Sequence, residues 1–192
     1  MASARKNRTA IGALGACGPE GGRDAHRLDA LINLHAREIQ LFLYKLCGDH
    51  HDAEELAQDV FVKAFRRLES LREPAAARRW LYAIAVNHFN DWLKPQRRRF
   101  LRAQSSLESR DVAAAISEKP VKETLARELS DTLMSCVQDL PNRQRVVLLM
   151  YSAKGFGYAE IGEALGITAD AVKMSLFYAR EKLRGQIEKL VD

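Results

Sequence analysis

Twenty-six residues near the C-terminus, Tyr158 to Leu183, constrain this chain more than any other stretch. Ile161 and Leu165 stand one helical turn apart, and Gly162 lies where two helices have to approach. Gly166 suits the positive φ of a tight turn, and Ile167 can pack beneath it. Thr168 is a good N-cap, and Asp170 suits the positive end of the next helix. Val172, Leu176, Ala179 and Leu183 then return at three- and four-residue steps, the period of a helix with one buried face. The segment reads as a helix-turn-helix. Its second helix can enter a DNA major groove, which admits a helix and shows a distinct pattern for each base pair. Lys173, Met174, Ser175, Phe177, Tyr178, Arg180, Lys182 and Arg184 fall off the apolar face and offer charge, a hydroxyl and apolar surface to such a groove. The plainer alternative is a helical hairpin with a solvated basic face. From Lys154 to Asp192 six Lys/Arg meet six Asp/Glu, so this unit alone should bind DNA weakly, because phosphate neutralisation supplies much of the affinity.

The same helical period runs back through the chain. Leu28, Leu31, Ile32, Leu34, Ile39, Phe42, Leu43 and Leu46 predict one helix, which Gly48 should end. Asp52 or a neighbour can cap a second, with Leu56, Val60, Phe61, Ala64, Phe65 and Leu68 on one face. Pro74 makes Leu71–Ala77 a loop or broken turn. A third helix runs from about Arg78 to Leu93, and Pro95 marks its expected end. Residues 103–122, with Ser105, Ser106, Ser109, Ser117 and Pro120 among charges, read as a flexible linker. Thr124–Gln138 should be a further helix, and Leu140-Pro141 should open another that Gly155 and Gly157 interrupt. The expected fold is all-α: two small helical domains, 25–102 and 123–192, behind a flexible tail of residues 1–24.

Charge is unevenly spread. The net charge is +5 over 192 residues, yet Arg78–Arg102 alone holds seven Lys/Arg against one acid, Asp91. Asp49–Asp59 holds five acids and no Lys or Arg. A basic block attracts phosphate and an acidic block repels it, so the two should face different partners. The basic block also carries Trp80, Tyr82, Phe89 and Trp92. Any one of them can be plain core, but aromatics and amides beside a basic track suit unpaired bases, which stack or enter pockets. Asn87 and Asn90 could read a base edge.

Several classes fall away. The longest apolar stretch, Trp80–Val86, is far shorter than the roughly 18–20 residues of a membrane span. Lys and Arg at positions 5–8, followed by Ala10–Cys17, faintly resemble an export signal, but the apolar part is short and holds two Gly. Cys17, Cys47 and Cys136 make no disulfide framework, which suits a reducing cytoplasm. Cys47, His50 and His51, with His35 upstream, offer Cys-x-x-His spacing but no complete tetrahedral set, so no metal and no cofactor is expected. Neither a phosphate loop, a nucleophile triad nor paired catalytic carboxylates stands out, and no enzymatic activity is expected.

Three stretches, in order, carry a family resemblance. Asp52-Ala-Glu-Glu-Leu-Ala-Gln-Asp-Val-Phe-Val-Lys-Ala-Phe-Arg66 resembles the polymerase-binding helix of bacterial sigma factors. Arg79-Trp-Leu-Tyr-Ala-Ile-Ala-Val-Asn-His-Phe-Asn-Asp91 and the basic run after it resemble their promoter-melting helix. Leu140-Pro-Asn-Arg-Gln-Arg-Val-Val147 and Tyr158-Ala-Glu-Ile161 resemble parts of their C-terminal promoter domain. With two domains and a short linker, the chain resembles the extracytoplasmic-function (ECF) group of the sigma-70 family. The resemblance implies region 2 at 25–102 and region 4 at 123–192. It implies core RNA polymerase and promoter DNA, duplex and melted, as partners. An anti-sigma protein is a further partner that this group often has.

The implied roles follow. Asp52, Glu54, Glu55, Gln58, Asp59, Phe61 and Lys63 would bind polymerase. Leu71, Arg72, Arg79, Trp80, Tyr82, Asn87, Asp91, Arg97, Arg98 and Arg99 would hold the −10 element, with Leu71–Ala77 around a flipped base. Thr168, Lys173, Met174, Ser175, Phe177, Tyr178 and Arg180 would read the −35 element. The group often has Ser-Arg after the Val-Lys of the recognition helix, where this chain has Met174-Ser175, and Tyr178 stands where Arg is common. Fewer Arg means fewer bidentate guanine contacts, so a different −35 sequence is expected. The competing reading is a free-standing helix-turn-helix regulator acting without polymerase. It would need neither the acidic docking helix nor the aromatic melting helix.

Overall fold

The computed structural model describes residues 18–104 and 132–191. Among them all regular structure is helical. Helix α1 is Gly18–Cys47, α2 is His50–Arg66 and α3 is Ala77–Gln104. Residues 132–138 form α4, followed by α5 (Asn142–Lys154), α6 (Tyr158–Leu165) and α7 (Ala169–Val191). Single 3₁₀ turns at Leu68–Ser70 and Pro74–Ala76 carry the chain from α2 to α3.

Local chemistry sets most boundaries. Gly48 turns the chain after α1 at φ +84°. The cap of α2 is Asp49, whose Oδ1 accepts from the amides of His51 (2.7 Å) and Asp52 (2.9 Å). Two boundaries differ from expectation. Helix α1 begins at Gly18 rather than after Arg23, with Pro19 in the first turn, where its missing N–H leaves no bond unmade. Helix α3 does not end at Pro95 but runs through it to Gln104. Pro95 sits on the exposed side, so the Asp91 carbonyl it leaves unbonded can face water. Residues 103 and 104 of the expected linker thus close α3. The rest of that linker, the tail residues 1–17 with Cys17, and residues 124–131 of the expected fourth helix lie outside the described residues.

In the first unit, α1, α2 and α3 pack around Phe42, Leu43, Leu46, Val60, Phe61, Leu81 and Phe89. A smaller apolar cluster of Leu68, Leu71 and Ala77, with Leu31 and Trp80 against it, fixes the α2–α3 connection. In the second unit, α5, α6 and α7 enclose Val147, Met150, Ile161, Val172, Leu176 and Ala179. The buried side chains of both units form one continuous cluster. Contact between the units was not foreseen in the sequence.

Candidate nucleic-acid and protein interface

Helix α2 displays the acidic face. Glu55 and Asp59 are exposed and Asp52, Glu54 and Gln58 half-buried, so the expected docking residues reach the surface with one exception. Phe61 is only 1 % exposed and belongs to the core. The correction follows from period: Phe61 lies one residue after Val60, on the apolar side of the helix. Asp59 and Lys63 are tied to α3 through one imidazole. Lys63 Nζ donates to His88 Nδ1 (2.6 Å), and the ring Nε2–H is then placed to donate to Asp59 Oδ2 (3.0 Å).

Helix α3 and the loop before it form the second face. Leu71, Arg72, Trp80 and Arg79 line a cleft of about 430 Å³, with Glu163 and Ala164 of α6 on the opposite wall. Trp80 Nε1 donates to Ser70 Oγ (3.1 Å), which fixes the indole across the α2–α3 connection. Ser70 escaped the sequence reading because nothing local marks a partner ten residues away. Arg72 and Asn87 are exposed, and Arg79 and Trp80 half-buried. Leu71 is buried and offers the cleft little more than its backbone, whose carbonyl accepts from Arg27 Nη2 (3.3 Å). Asp91 is exposed, and its hydrogen bond with Lys94 (2.8 Å) holds its carboxyl below the usual range. Arg97, Arg98 and Arg99 lie on the last turns of α3, and their side chains lie outside those described.

Tyr82 is the clearest correction on this helix. It is fully buried, and its hydroxyl donates to Glu38 Oε1 at 3.1 Å. Burial, and then the Glu38 carboxylate, push the phenol well above its usual range. Arg78 Nε and Nη2 donate to the same oxygen (2.9 and 2.7 Å), and His35 Nδ1 lies 3.3 Å from Glu38 Oε2. Tyr82 is therefore part of the polar tie between α1 and α3 and cannot stack on a base.

The turn from α6 to α7 forms as its residues require. Gly166 takes φ +65°, and a Cβ on Gly162 would lie 2.7 Å from the Ile167 carbonyl oxygen. Thr168 Oγ1 accepts from the Ala171 amide (3.2 Å). Thr168, Lys173, Met174, Phe177, Tyr178 and Arg180 are exposed on or beside the outer face of α7. Ser175 is not: it is buried, and its hydroxyl donates back to the Ala171 carbonyl (2.7 Å). It sits beside Leu176 on the inner side of the helix, a place that single-residue spacing left ambiguous.

Cys47 Sγ donates to the Asp49 carbonyl, and the His50 ring stacks on Tyr44 at 3.9 Å. Among the described residues no three His, Cys, Asp or Glu converge as metal ligands. No described helix is long and apolar enough to cross a membrane.

Comparison with known proteins gives two family matches: Sigma-70 region 2 over residues 31–99 and Sigma-70, region 4 over residues 130–183. The chain is 29% identical over 161 residues to the ECF RNA polymerase sigma factor SigE of Mycolicibacterium smegmatis, covering 84% of this chain and 62% of that one. It is 31% identical over 140 residues to the probable RNA polymerase sigma factor RfaY of Xanthomonas campestris pv. campestris, covering 73% of this chain and 35% of that one. The chain thus spans less than two thirds of either relative. In fold it is similar to the sigma factor RpoE of Bartonella quintana, solved with the anti-sigma factor NepR. The TM-score is 0.64 at 21% identity, over 82% of this chain and 94% of that one.

Proposed function

The chain belongs to the extracytoplasmic-function group of the sigma-70 family, and we propose that it binds core RNA polymerase and directs it to promoters. Helix α2 docks on the polymerase through Asp52, Glu54, Glu55, Gln58, Asp59 and Lys63. The cleft beside Arg79 and Trp80 receives an unpaired base of the −10 element. Asn87 contacts the melted strand nearby, and the basic end of α3 follows its backbone. Helix α7 reads the −35 element as duplex through Lys173, Met174, Phe177, Tyr178 and Arg180. RNA synthesis itself belongs to the polymerase.

One observation carries this reading. The three-helix unit presents an acidic face on α2 and, from α3 and the loop before it, supplies the Arg and the Trp in the wall of a cleft that Glu163 and Ala164 of α6 complete. Acid repels DNA, so that face suits a protein partner, while the cleft suits a base rather than a duplex. A duplex-binding regulator would use only the second unit. An anti-sigma protein is the expected regulator, in keeping with the group.

The test is co-elution of the purified chain with bacterial core polymerase in moderate salt. A stable complex is expected, and D52K/E55K/D59K should weaken it by about tenfold or more, because close charge pairs across an interface are worth over 1 kcal/mol. Absence of co-elution by the unmodified chain would sink the reading. Asn87→Ala should slow promoter opening and leave −35 duplex binding unchanged.

A further inference from the structure

Helix α7 leaves its largest apolar side chains in water. Met174 is 47 % exposed, Phe177 54 % and Tyr178 52 %, and the Phe177 and Tyr178 rings meet edge-on at 5.5 Å. Single exposed apolar residues are ordinary, but an adjoining set marks a surface that something covers. Their place on the helix says what. Asp170, Met174, Phe177 and Glu181 follow one another at steps of four, three and four, on the side opposite the buried Val172, Leu176 and Ala179. A recognition helix turns that side to base edges. Carboxylates stand at both ends of the line, so a phosphate strand does not run along it. Lys173, Arg180 and Arg184 form one flank at steps of seven and four. An apolar centre beside a cationic flank matches the base floor and the phosphate rim of a major groove.

The polar groups that read purines are missing from this line or engaged elsewhere. From Ala169 to Arg184 there is no Asn or Gln to pair with adenine. The Arg180 guanidinium lies over the Tyr151 ring at 5.3 Å, and Tyr151 in turn stacks on Tyr158. Arg184 is paired with Glu181 and Glu188, and Lys182 Nζ donates to the Asp139 carbonyl (2.6 Å). The Ser175 hydroxyl is spent on the Ala171 carbonyl. What faces the bases between the two carboxylates is a thioether and a ring. The apolar group that the major groove displays is the C5-methyl of thymine. Met174 and Phe177 are three residues apart, a rise of about 4.5 Å, comparable with one base step of about 3.4 Å. They therefore fall on neighbouring base pairs.

We propose that Met174 and Phe177 make α7 a reader of thymine methyl groups on neighbouring A·T pairs, and that Arg180, held by Tyr151, grips a phosphate rather than a guanine. The inference rests on the duplex role assigned to α7 above. It gives the two kinds of side chain separable effects. Loss of a methyl contact changes which duplex is preferred, whereas loss of a phosphate contact weakens every duplex alike.

The test uses the full chain at low salt, where phosphate contacts are strongest, and selects repeatedly from a library of random duplexes. Enrichment of neighbouring A·T pairs is expected. The best duplex is then remade with deoxyuridine in place of each thymine in turn, which removes the methyl and keeps every base-pair hydrogen bond. Binding should weaken about fourfold at one or two thymines, the value of one buried carbon each, and stay unchanged at the rest. Met174→Ala and Phe177→Ala, at exposed sites, should each abolish the thymine–uracil difference at one of those positions, and Met174→Leu should keep it. Arg180→Ala should weaken all duplexes alike and lower the salt slope by about one. Equal binding of thymine and deoxyuridine duplexes by the unmodified chain overturns the proposal and leaves the duplex role of α7 standing. A difference that survives both alanine variants overturns it too and leaves the apolar line to a protein partner. An Arg180→Ala loss confined to duplexes with guanine at one position overturns the phosphate grip. Enrichment of no duplex at all sinks the duplex role together with the proposal. Polymerase co-elution is scored separately and tests α2 alone.

Discussion

The two units are held together by different means. The first is tied across its helices by side chains far apart in sequence: Glu38 on α1 receives Arg78 and Tyr82 from α3, 40 and 44 residues away. The second is shaped by its backbone at close range. Gly166 turns the chain, Gly162 admits the Ile167 carbonyl, and Thr168 caps the amide three residues on. The first unit should therefore respond most to lost partners, and the second to lost space and lost caps.

The sharpest way to break this contrast is Gly162→Ala. The added Cβ would meet a backbone oxygen at 2.7 Å, which no rotamer change can relieve. A loss of about 2 to 3 kcal/mol is expected, typical of overpacking, with duplex binding lost alongside the thermal transition of the second unit. Calorimetry that finds no destabilisation would show that the turn can shift.

Glu38→Gln tests the first unit. It removes the carboxylate shared by Arg78, Tyr82 and His35. The expected loss is about 1 to 2 kcal/mol, since Arg78 is partly solvated and the pair is discounted accordingly. Denaturant unfolding should show it, with duplex binding through α7 intact. A neutral result would mean that packing alone holds α1 to α3.

Thr168→Ala should cost about 1 kcal/mol, the ordinary value of an N-cap, and weaken duplex binding through fraying of α7. A loss above that of Glu38→Gln would show that the second unit depends on this cap more than the first depends on its Glu38 tie.

The smallest effect concerns acid. Amide donation from Asp52, followed by that from His51, holds the Asp49 carboxyl below its usual range. A lowered folded pKa gives stability that is present above the ordinary carboxylate value and is lost as pH falls through the lowered one. The start of α2 should thus stay capped at mildly acidic pH and fray below the usual carboxylate range. The amide shifts of His51 and Asp52 in NMR should follow that titration. A midpoint at or above the ordinary value would remove the cap's role.

Legibility follows the same division. The α6–α7 turn was readable because every group in it acts within about five residues. The acidic block was readable as a run, and it marks the exposed face of α2. Tyr82 and Ser175 were expected at the surface and are buried for a shared reason, whereas Phe61 stood on the apolar face by period and owed its docking role to the resemblance alone. Tyr82 and Ser175 each lie next to residues on the other side of the helix, and a shift of one position moves a side chain by about 100° around the axis. Only packing settles which side such a residue takes. Pro95 misled in another way: proline disfavours the middle of a helix, but an exposed site with solvent for the freed carbonyl tolerates it.

What the sequence determined by itself, among the described residues, is which segments are helical, most of their caps and turns, the family, and the acidic run on α2. Helical period, capping and charge runs are written within a few neighbouring residues. The tertiary structure alone decided that Glu38 binds Tyr82, that Phe156 is buried against Arg78, and that Arg145 reaches the Leu46 carbonyl 99 residues away. Those contacts depend on which faces meet after the helices have formed. That choice is made by fit and burial over the whole molecule, and no local pattern encodes it.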